Sequence, residues 1–401
     1  MGLWFTVAFI AFALTLLIRF YNGDVPFLLV KDLDFLEYAY IKNFQNFTAR
    51  GVTMRTDQMH PVVGQMVIHV RGDQWRRMRS CVTSGFTSSK LKQMVPHIAE
   101  SAEVFMDMLE LYADSEKEVN LRFQFQALSM DYIGQAAFGI ETCFQREVDN
   151  IFFTTARRVL PGVMTGPAHM IAQSTTTMGS AMKPFYWFLG QFGSLTFKVF
   201  SRETTKMIEK RKSHPELRKP DILQNLLDAE IEEEALNEVV NKSEAQQTAD
   251  GVKKRVRALS PREVIMNATL LFMGGATSRQ ADEDFEWNGM KFKAGTCIMS
   301  PTYQLHRDPR YWTDPDTFDP ERFSPENESS IYKMAFQPFG VGPRHCVGFQ
   351  MARLELRYTL ARLVQRYRVE LGESQKGEMN MGGYAMISAP ENGPWLKFYK
   401  L

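Results

Sequence analysis

Ten residues, Phe339-Gly340-Val341-Gly342-Pro343-Arg344-His345-Cys346-Val347-Gly348, constrain this chain more than any other stretch. They read F-x-x-G-x-R-x-C-x-G, a lone cysteine between glycines with a helix-compatible run directly behind it. Gly342 and Gly348 permit a tight turn around the sulfur that a Cβ would obstruct. Arg344, two residues before the cysteine, is a fork-shaped cation. Cys346 is expected near the N-terminus of the following helix, where the dipole favours thiolate over thiol. A free cysteine in a Gly/Pro loop is ordinarily buried and inert. The spacing of the five fixed positions is what argues otherwise.

The stretch resembles the haem-binding signature of the cytochrome P-450 family at every fixed position. The resemblance implies Cys346 as the ligand of a haem iron, Arg344 as partner of a haem propionate, and Phe339 as a shield over the sulfur. A thiolate so placed pushes electron density onto iron and favours O–O cleavage. A second stretch, Gly72-Asp73-Gln74-Trp75-Arg76-Arg77-Met78-Arg79, sets Trp75 and Arg79 four apart and hence on one helical face. Two donors on one face suit an anion; by spacing alone they also suit an amphipathic surface helix. The pattern, followed by Phe86-Thr87-Ser88-Ser89-Lys90-Leu91, resembles the family's W-x-x-x-R helix, which implies that Trp75 and Arg79 meet the propionates.

The chain has 401 residues, 44% of them hydrophobic, enough for one large core. A formal net charge of +1 argues against bulk nucleic-acid binding. Cys81, Cys143, Cys297 and Cys346 are scattered without a C-x-x-C, which suggests reduced thiols rather than a disulfide framework or a zinc site. Leu3 to Ile18 is an apolar run broken only by Thr6 and Thr15 and closed by Arg19. It is slightly short for a span of about 20 residues, yet it lacks the basic n-region and A-x-A site of a cleaved signal peptide. Residues 1–19 are therefore expected to be an uncleaved membrane anchor. Arg19 and Lys31 place the remainder, residues 25–401, on the cytoplasmic side. The resemblance implies the endoplasmic-reticulum membrane.

Along the chain, Val25 to Val30 reads as a buried strand and Asp32 to Phe44 as a short helix. Helical periodicity runs from Leu91 to Leu111 and from Leu121 to Phe138. Ile151 to Leu189 mixes Phe, Met, Pro and Gly with few charges, and either lines an adaptable apolar site or faces lipid. Glu230 to Arg257, acidic and then basic, is expected as a solvated loop. Ser260-Pro261-Arg262-Glu263 is a capping box that starts a helix ending at Gly274-Gly275. Phe285 to Phe292 alternates around Asn288-Gly289 as a hairpin. Met351 to Tyr367 reads as a helix with Leu354, Leu360 and Leu363 facing inward.

Two blocks depart from the family pattern. The proline-rich hinge, helix and first strand expected before Val25 are absent from the sequence. Between Gly275 and Phe285 only nine residues remain, too few for the helices that the family places there. No Glu in the chain has Arg three residues on, so the family's E-x-x-R helix is missing. Arg322 of Pro320-Glu321-Arg322-Phe323 then loses its expected carboxylate, and an unpaired buried ion costs on the order of 3–5 kcal/mol. Of the distal oxygen-activation motif, Gly274-Gly275 remains without its acid. Thr277 is the candidate hydroxyl for proton relay.

The resemblance implies a mainly α fold with small β-sheets, the cytochrome P-450 fold less these blocks. It implies haem b, electrons from NADPH through a membrane-bound flavin reductase, and insertion of one oxygen atom into an apolar small molecule. A haem-binding but catalytically impaired chain, or one that does not fold, is the alternative.

Overall fold

A computed structural model describes residues 17–22, 25–51, 63–141, 143–159, 181–182, 184–185, 188, 195–250, 256–270, 278–375, 379, 381–384 and 387–401. The chain is mainly helical with four small sheets among the described residues. Strands β1 (Leu17–Asn22) and β2 (Val25–Val30) form an antiparallel hairpin. The first strand expected to be absent is therefore present, and Leu17, Ile18 and Arg19 lie in it. Residues 1–16, the rest of the expected anchor, fall outside the described residues; no described helix is long and apolar enough to cross a membrane.

Asp32 caps helix α1 (Leu33–Glu37), its carboxylate accepting from Asp34 N at 2.9 Å and Phe35 N at 3.0 Å. The expected single helix then changes pitch. Tyr38–Lys42 is a π-helical turn and Phe44–Phe47 a 3-10 turn.

The helical body follows: α2 (Gly72–Thr83), α3 (Ser88–Asp114), the two-residue strand β3 (Val119–Asn120), α4 (Arg122–Phe138), α5 (Ile151–Val159), α6 (Leu195–Ser213), α7 (Ile222–Leu227), α8 (Glu233–Asp250) and α9 (Pro261–Leu270). Helix α8 corrects the expected loop. Glu, Ala, Leu, Lys and Gln are good helix formers, so a solvated charge run can be helical, with Leu236 tucked in. The capping box is made as expected: Ser260 N–H donates to Glu263 Oε2 at 3.0 Å and Glu263 N–H to Ser260 Oγ at 3.3 Å. The same Glu263 carboxylate takes Arg77 bidentately at 2.7 and 2.5 Å, tying α2 to α9 in a buried pair.

Past residue 277 the chain returns to the first sheet. Strand β7 (Cys297–Met299) pairs parallel with β2, Phe27 opposite Cys297, and β4 (Arg279–Gln280) adds the far edge. The whole helical body is the crossover of that parallel pair. Strands β5 (Phe285–Trp287) and β6 (Met290–Phe292) form the expected hairpin, with Asn288 and Gly289 at φ 49° and 78°, as its two-residue turn requires. A short helix α10 (Thr302–Leu305) leads toward the cysteine loop. Helix α11 (Phe349–Arg366) follows that loop and runs into β8 (Tyr367–Leu371). Leu363 is buried and Leu354 packs on the core, but Leu360 is 54% exposed, with Leu356 and Val364 beside it. The inward placement of Leu360 is thus corrected: among the described residues nothing covers that face of α11.

Apolar burial forms two main clusters. The larger gathers α2, α3, α4, α9 and α11 around Met78, Phe105, Leu109 and Phe144. The smaller is aromatic and joins β2 and α1 to the hairpin: Phe35 stacks on Trp287 at 5.3 Å and Phe285 on Phe292 at 4.8 Å. Val341 packs on the smaller cluster and Val347 on the larger, so the cysteine loop bridges the two.

Arg322 is not the orphaned ion that the missing E-x-x-R helix suggested. It is half-buried, and its guanidinium donates to the carbonyls of Thr313, Asp314 (2.6 Å) and Thr317 (3.1 Å), with Asp319 Oδ2 at 3.9 Å. Three carbonyls and a nearby carboxylate satisfy a guanidinium without the expected partner.

Candidate functional site

The cysteine loop is shaped by two left-handed glycines, Gly340 and Gly342, both at φ 73°. A Cβ on Gly342 would collide with the carbonyl oxygen of Tyr40, so the loop seats directly on the π-helical turn. Gly348 does not share this need. Its φ is −89°, and a Cβ there would lie 3.4 Å from Phe86. The loop closes by Cys346 N–H donating to Phe339 O at 2.9 Å, and His345 N–H donates to Gly342 O at 2.9 Å. Phe339 and His345 both pack against Phe349 at the start of α11, with ring centroids 6.2 and 5.2 Å apart. Cys346 stands three residues ahead of that helix, as the sequence suggests, and its sulfur is free.

Cys346 opens into a cavity of about 600 Å³. Phe339, Arg344, Gly348, Trp75 and Arg79 line the same cavity, so six of the seven cofactor residues expected from sequence converge there. Gly342 faces away, toward Tyr40. Thr277, the candidate hydroxyl, lies outside the described residues. Ile133 and Ala137 of α4, Ile222 of α7 and Val82 and Phe86 near the end of α2 give the cavity apolar walls.

The polar rim is heavily basic. Arg50 and Arg279 join Arg79 and Arg344 on the cavity, and no sequence motif marked either. Arg344 is buried, lies over the Trp75 ring at 4.7 Å, and donates to the carbonyls of Val67 (3.3 Å), Ile68 (3.5 Å) and Val70. Arg279 is buried too; it lies over the Tyr40 ring at 4.9 Å and donates to Ser278 O at 2.9 Å and Val341 O at 3.3 Å. The Nε atoms of both Arg279 and Arg344 are buried without a hydrogen-bond partner. Arg50 donates to Arg344 O at 2.9 Å.

Burial, reinforced by mutual repulsion, pushes Arg344 down to about 8 and Arg50 to about 9. Burial, with Arg79 adding to it, lowers Arg279 to about 10. The sole carboxyl among the lining residues is Glu355 of α11, which burial raises to about 8 and so holds neutral near pH 7. Four cations therefore face one another across an apolar cavity whose described lining holds no ionised carboxylate, with Asp282 offsetting Arg344 only weakly from outside it. Such a cage is complete only around a dianion, because charge-assisted guanidinium–carboxylate bonds offset both the desolvation and the repulsion. A flat apolar ring system bearing two carboxylates and an iron that accepts a thiolate fits all three features: the basic rim, the apolar walls and the free sulfur. Haem fits this cavity.

The residues missed by sequence reasoning arrive by tertiary contact. Arg279 is set by the pairing of β4 with β7, and Arg50 by the segment that follows the 3-10 turn. Neither carries a local spacing that could have flagged it.

The sequence model of the family described as Cytochrome P450 matches residues 15–276 and 271–398, two segments that meet where the chain is short. Among characterised relatives, cytochrome P450 3A6 of Oryctolagus cuniculus is 26% identical over 94% of this chain and 83% of its own length. Cytochrome P450 3A14 of Cavia porcellus is 27% identical over 92% of this chain and 81% of its own length. Lithocholate 6-beta-hydroxylase of Mesocricetus auratus is 25% identical over 94% of this chain and 83% of its own length. Motif, cage and matched length agree: the chain belongs to the cytochrome P450 family, the haem-thiolate monooxygenases that draw their electrons from NADPH through a reductase.

Proposed function

We propose that this chain inserts one oxygen atom from O2 into an apolar small molecule of the xenobiotic, steroid or fatty-acid type. The observation that carries it is the single cavity shared by a free cysteine, four arginines and apolar walls. Haem, when bound, supplies the oxygen-activating chemistry. Cys346 would hold its iron through the thiolate. Trp75, Arg79 and Arg344 hold the propionates, joined by Arg50 and Arg279. Phe339 shields the sulfur, Gly342 shapes the loop, Gly348 lines the cavity beside it, and Thr277 is the candidate proton relay. Walls such as Ile133, Ala137 and Phe86 exclude water and favour an apolar guest. A steroid-type substrate is supported by the name of one relative, lithocholate 6-beta-hydroxylase. Electrons come through a membrane-bound flavin reductase. The part of residues 1–19 that precedes β1 anchors the chain in the endoplasmic-reticulum membrane, and residues 25–401 face the cytoplasm as the haem-thiolate domain. The test is turnover under labelled oxygen with reductase and NADPH: product from a steroid or xenobiotic panel carries one labelled atom. Products labelled only from water overturn the proposal.

The propionate assignment has its own test. Arg79→Ala combined with Arg344→Ala should lower haem content after gel filtration at least tenfold, since each lost charge-assisted bond weakens retention by roughly 1.5–3 kcal/mol. Unchanged haem content counts against it.

A second reading, that the chain binds haem but turns over poorly, is favoured by one observation. The two matched segments overlap at 271–276, where the sequence runs from the helix of the capping box almost directly into β4, with no E-x-x-R helix between.

A further inference from the structure

Tyr40 is absent from every motif in the sequence, yet it meets three parts of the site at once. It sits in the π-helical turn Tyr38–Lys42, a geometry that recurs at functional sites. Its ring lies beneath the Arg279 guanidinium at 4.9 Å. Its hydroxyl donates to Ile298 O at 3.3 Å, on the strand that pairs with β4. Its backbone carbonyl occupies the space that Gly342 keeps open in the cysteine loop. The residue is buried at the edge of the cavity itself.

Arg279 needs such a support. Its guanidinium is buried, feels the repulsion of Arg79, and has carbonyl partners for its two Nη atoms but none for Nε. Left to itself, a long cation in that field would turn away from its neighbours. The negative face of an aromatic ring opposes that turn, and it does so most strongly where water is excluded. Burial raises the Tyr40 phenol to about 12, so the hydroxyl keeps its proton and its anchor on β7 at any working pH.

We propose that Tyr40 is a positioning residue of the haem site, its ring holding Arg279 against the cavity so that the arginine cage is formed before the dicarboxylate arrives. This rests on the reading that the cage receives the propionates. In this role Tyr40 acts through Arg279 and not on the cofactor itself.

The experiment measures the rate of haem loss from the full-length holoprotein to an excess of apomyoglobin. Tyr40→Phe keeps the ring and should stay within about threefold of the unsubstituted chain, whereas Tyr40→Leu removes the ring and should release haem roughly tenfold faster. Both should keep the thiolate-type band of the reduced, carbon monoxide-bound form, because Cys346 is untouched. In an Arg279→Gln background, Tyr40→Leu should add nothing further, the signature of a role played through that arginine. Equal rates for Tyr40→Leu and the unsubstituted chain overturn the proposal, as does equal damage from Phe and Leu. Should Tyr40→Leu load no haem, the Arg279→Gln background decides: loading there supports the proposal, and failure there assigns Tyr40 to the fold alone. The Arg79→Ala, Arg344→Ala pair separates the two levels. If that pair retains haem, the propionate reading itself has failed. If it loses haem while Tyr40→Leu does not, only the role of Tyr40 has.

Discussion

Cys346→Ala is expected to abolish the strongly red-shifted Soret band of the reduced, carbon monoxide-bound protein. Cys346 is the one cysteine among the residues lining the cavity, since Cys81 and Cys297 are buried elsewhere. Its loop is fixed by the Cys346 N–H bond to Phe339 O and by the seat of Gly342 on Tyr40, so alanine removes the sulfur without disturbing the turn. The arginine cage stays in place, and haem should still enter. The variant therefore separates ligation from binding: haem content persists in part while the thiolate signature is lost outright. A red-shifted band surviving in Cys346→Ala would mean another ligand, and would sink the assignment of the loop.

The second large effect concerns the distal side. A version of this chain with the intervening helices restored between 276 and 285 should form product at least about a hundredfold faster per haem than the chain as it stands. Positioned acid–base groups contribute typically about 10²–10⁴-fold, and exclusion of water with fixed geometry adds to that. Here helix α9 is described only to Leu270, and Arg279 already belongs to β4. The stretch between is too short to wall a pocket and return. Comparable product formation per haem in the two chains would show that the shortening is harmless. The expected cost lies on this side alone, because Arg322 keeps its place through three carbonyls without the missing carboxylate.

What the sequence made legible is what local chemistry encodes. The Ser260–Glu263 box, the Asn288-Gly289 turn and the strand from Val25 to Val30 each carry their own instructions, and each is found where expected. The cysteine loop and the Trp75/Arg79 face converge on one cavity because the motif spacing reflects the shape of one rigid group. What was illegible depends on distant partners. Arg50 and Arg279 acquire their role only after β4 pairs with β7 and the first sheet closes. Leu360 looked like a core residue because its spacing on α11 is apolar on both faces, and spacing cannot say whether a second face finds a cover. Helix α8 is hidden by its charge density, which reads as a loop although its residues favour a helix.

The bridging position of the cysteine loop has a consequence for how the chain holds together. Val341 belongs to the aromatic cluster and Val347 to the helical one, with Tyr40, Arg50 and Arg279 on the first side of the cavity and Trp75, Arg79 and Ile133 on the other. A guest in that cavity is mortar between two courses of masonry. Each course has its own apolar core, but the joint between them is lined with like charges that push it open. A ligand that binds only the closed joint lends its binding free energy to both courses at once. The prosthetic group is in this sense a structural member of the chain, and its departure should turn one cooperative unit into two.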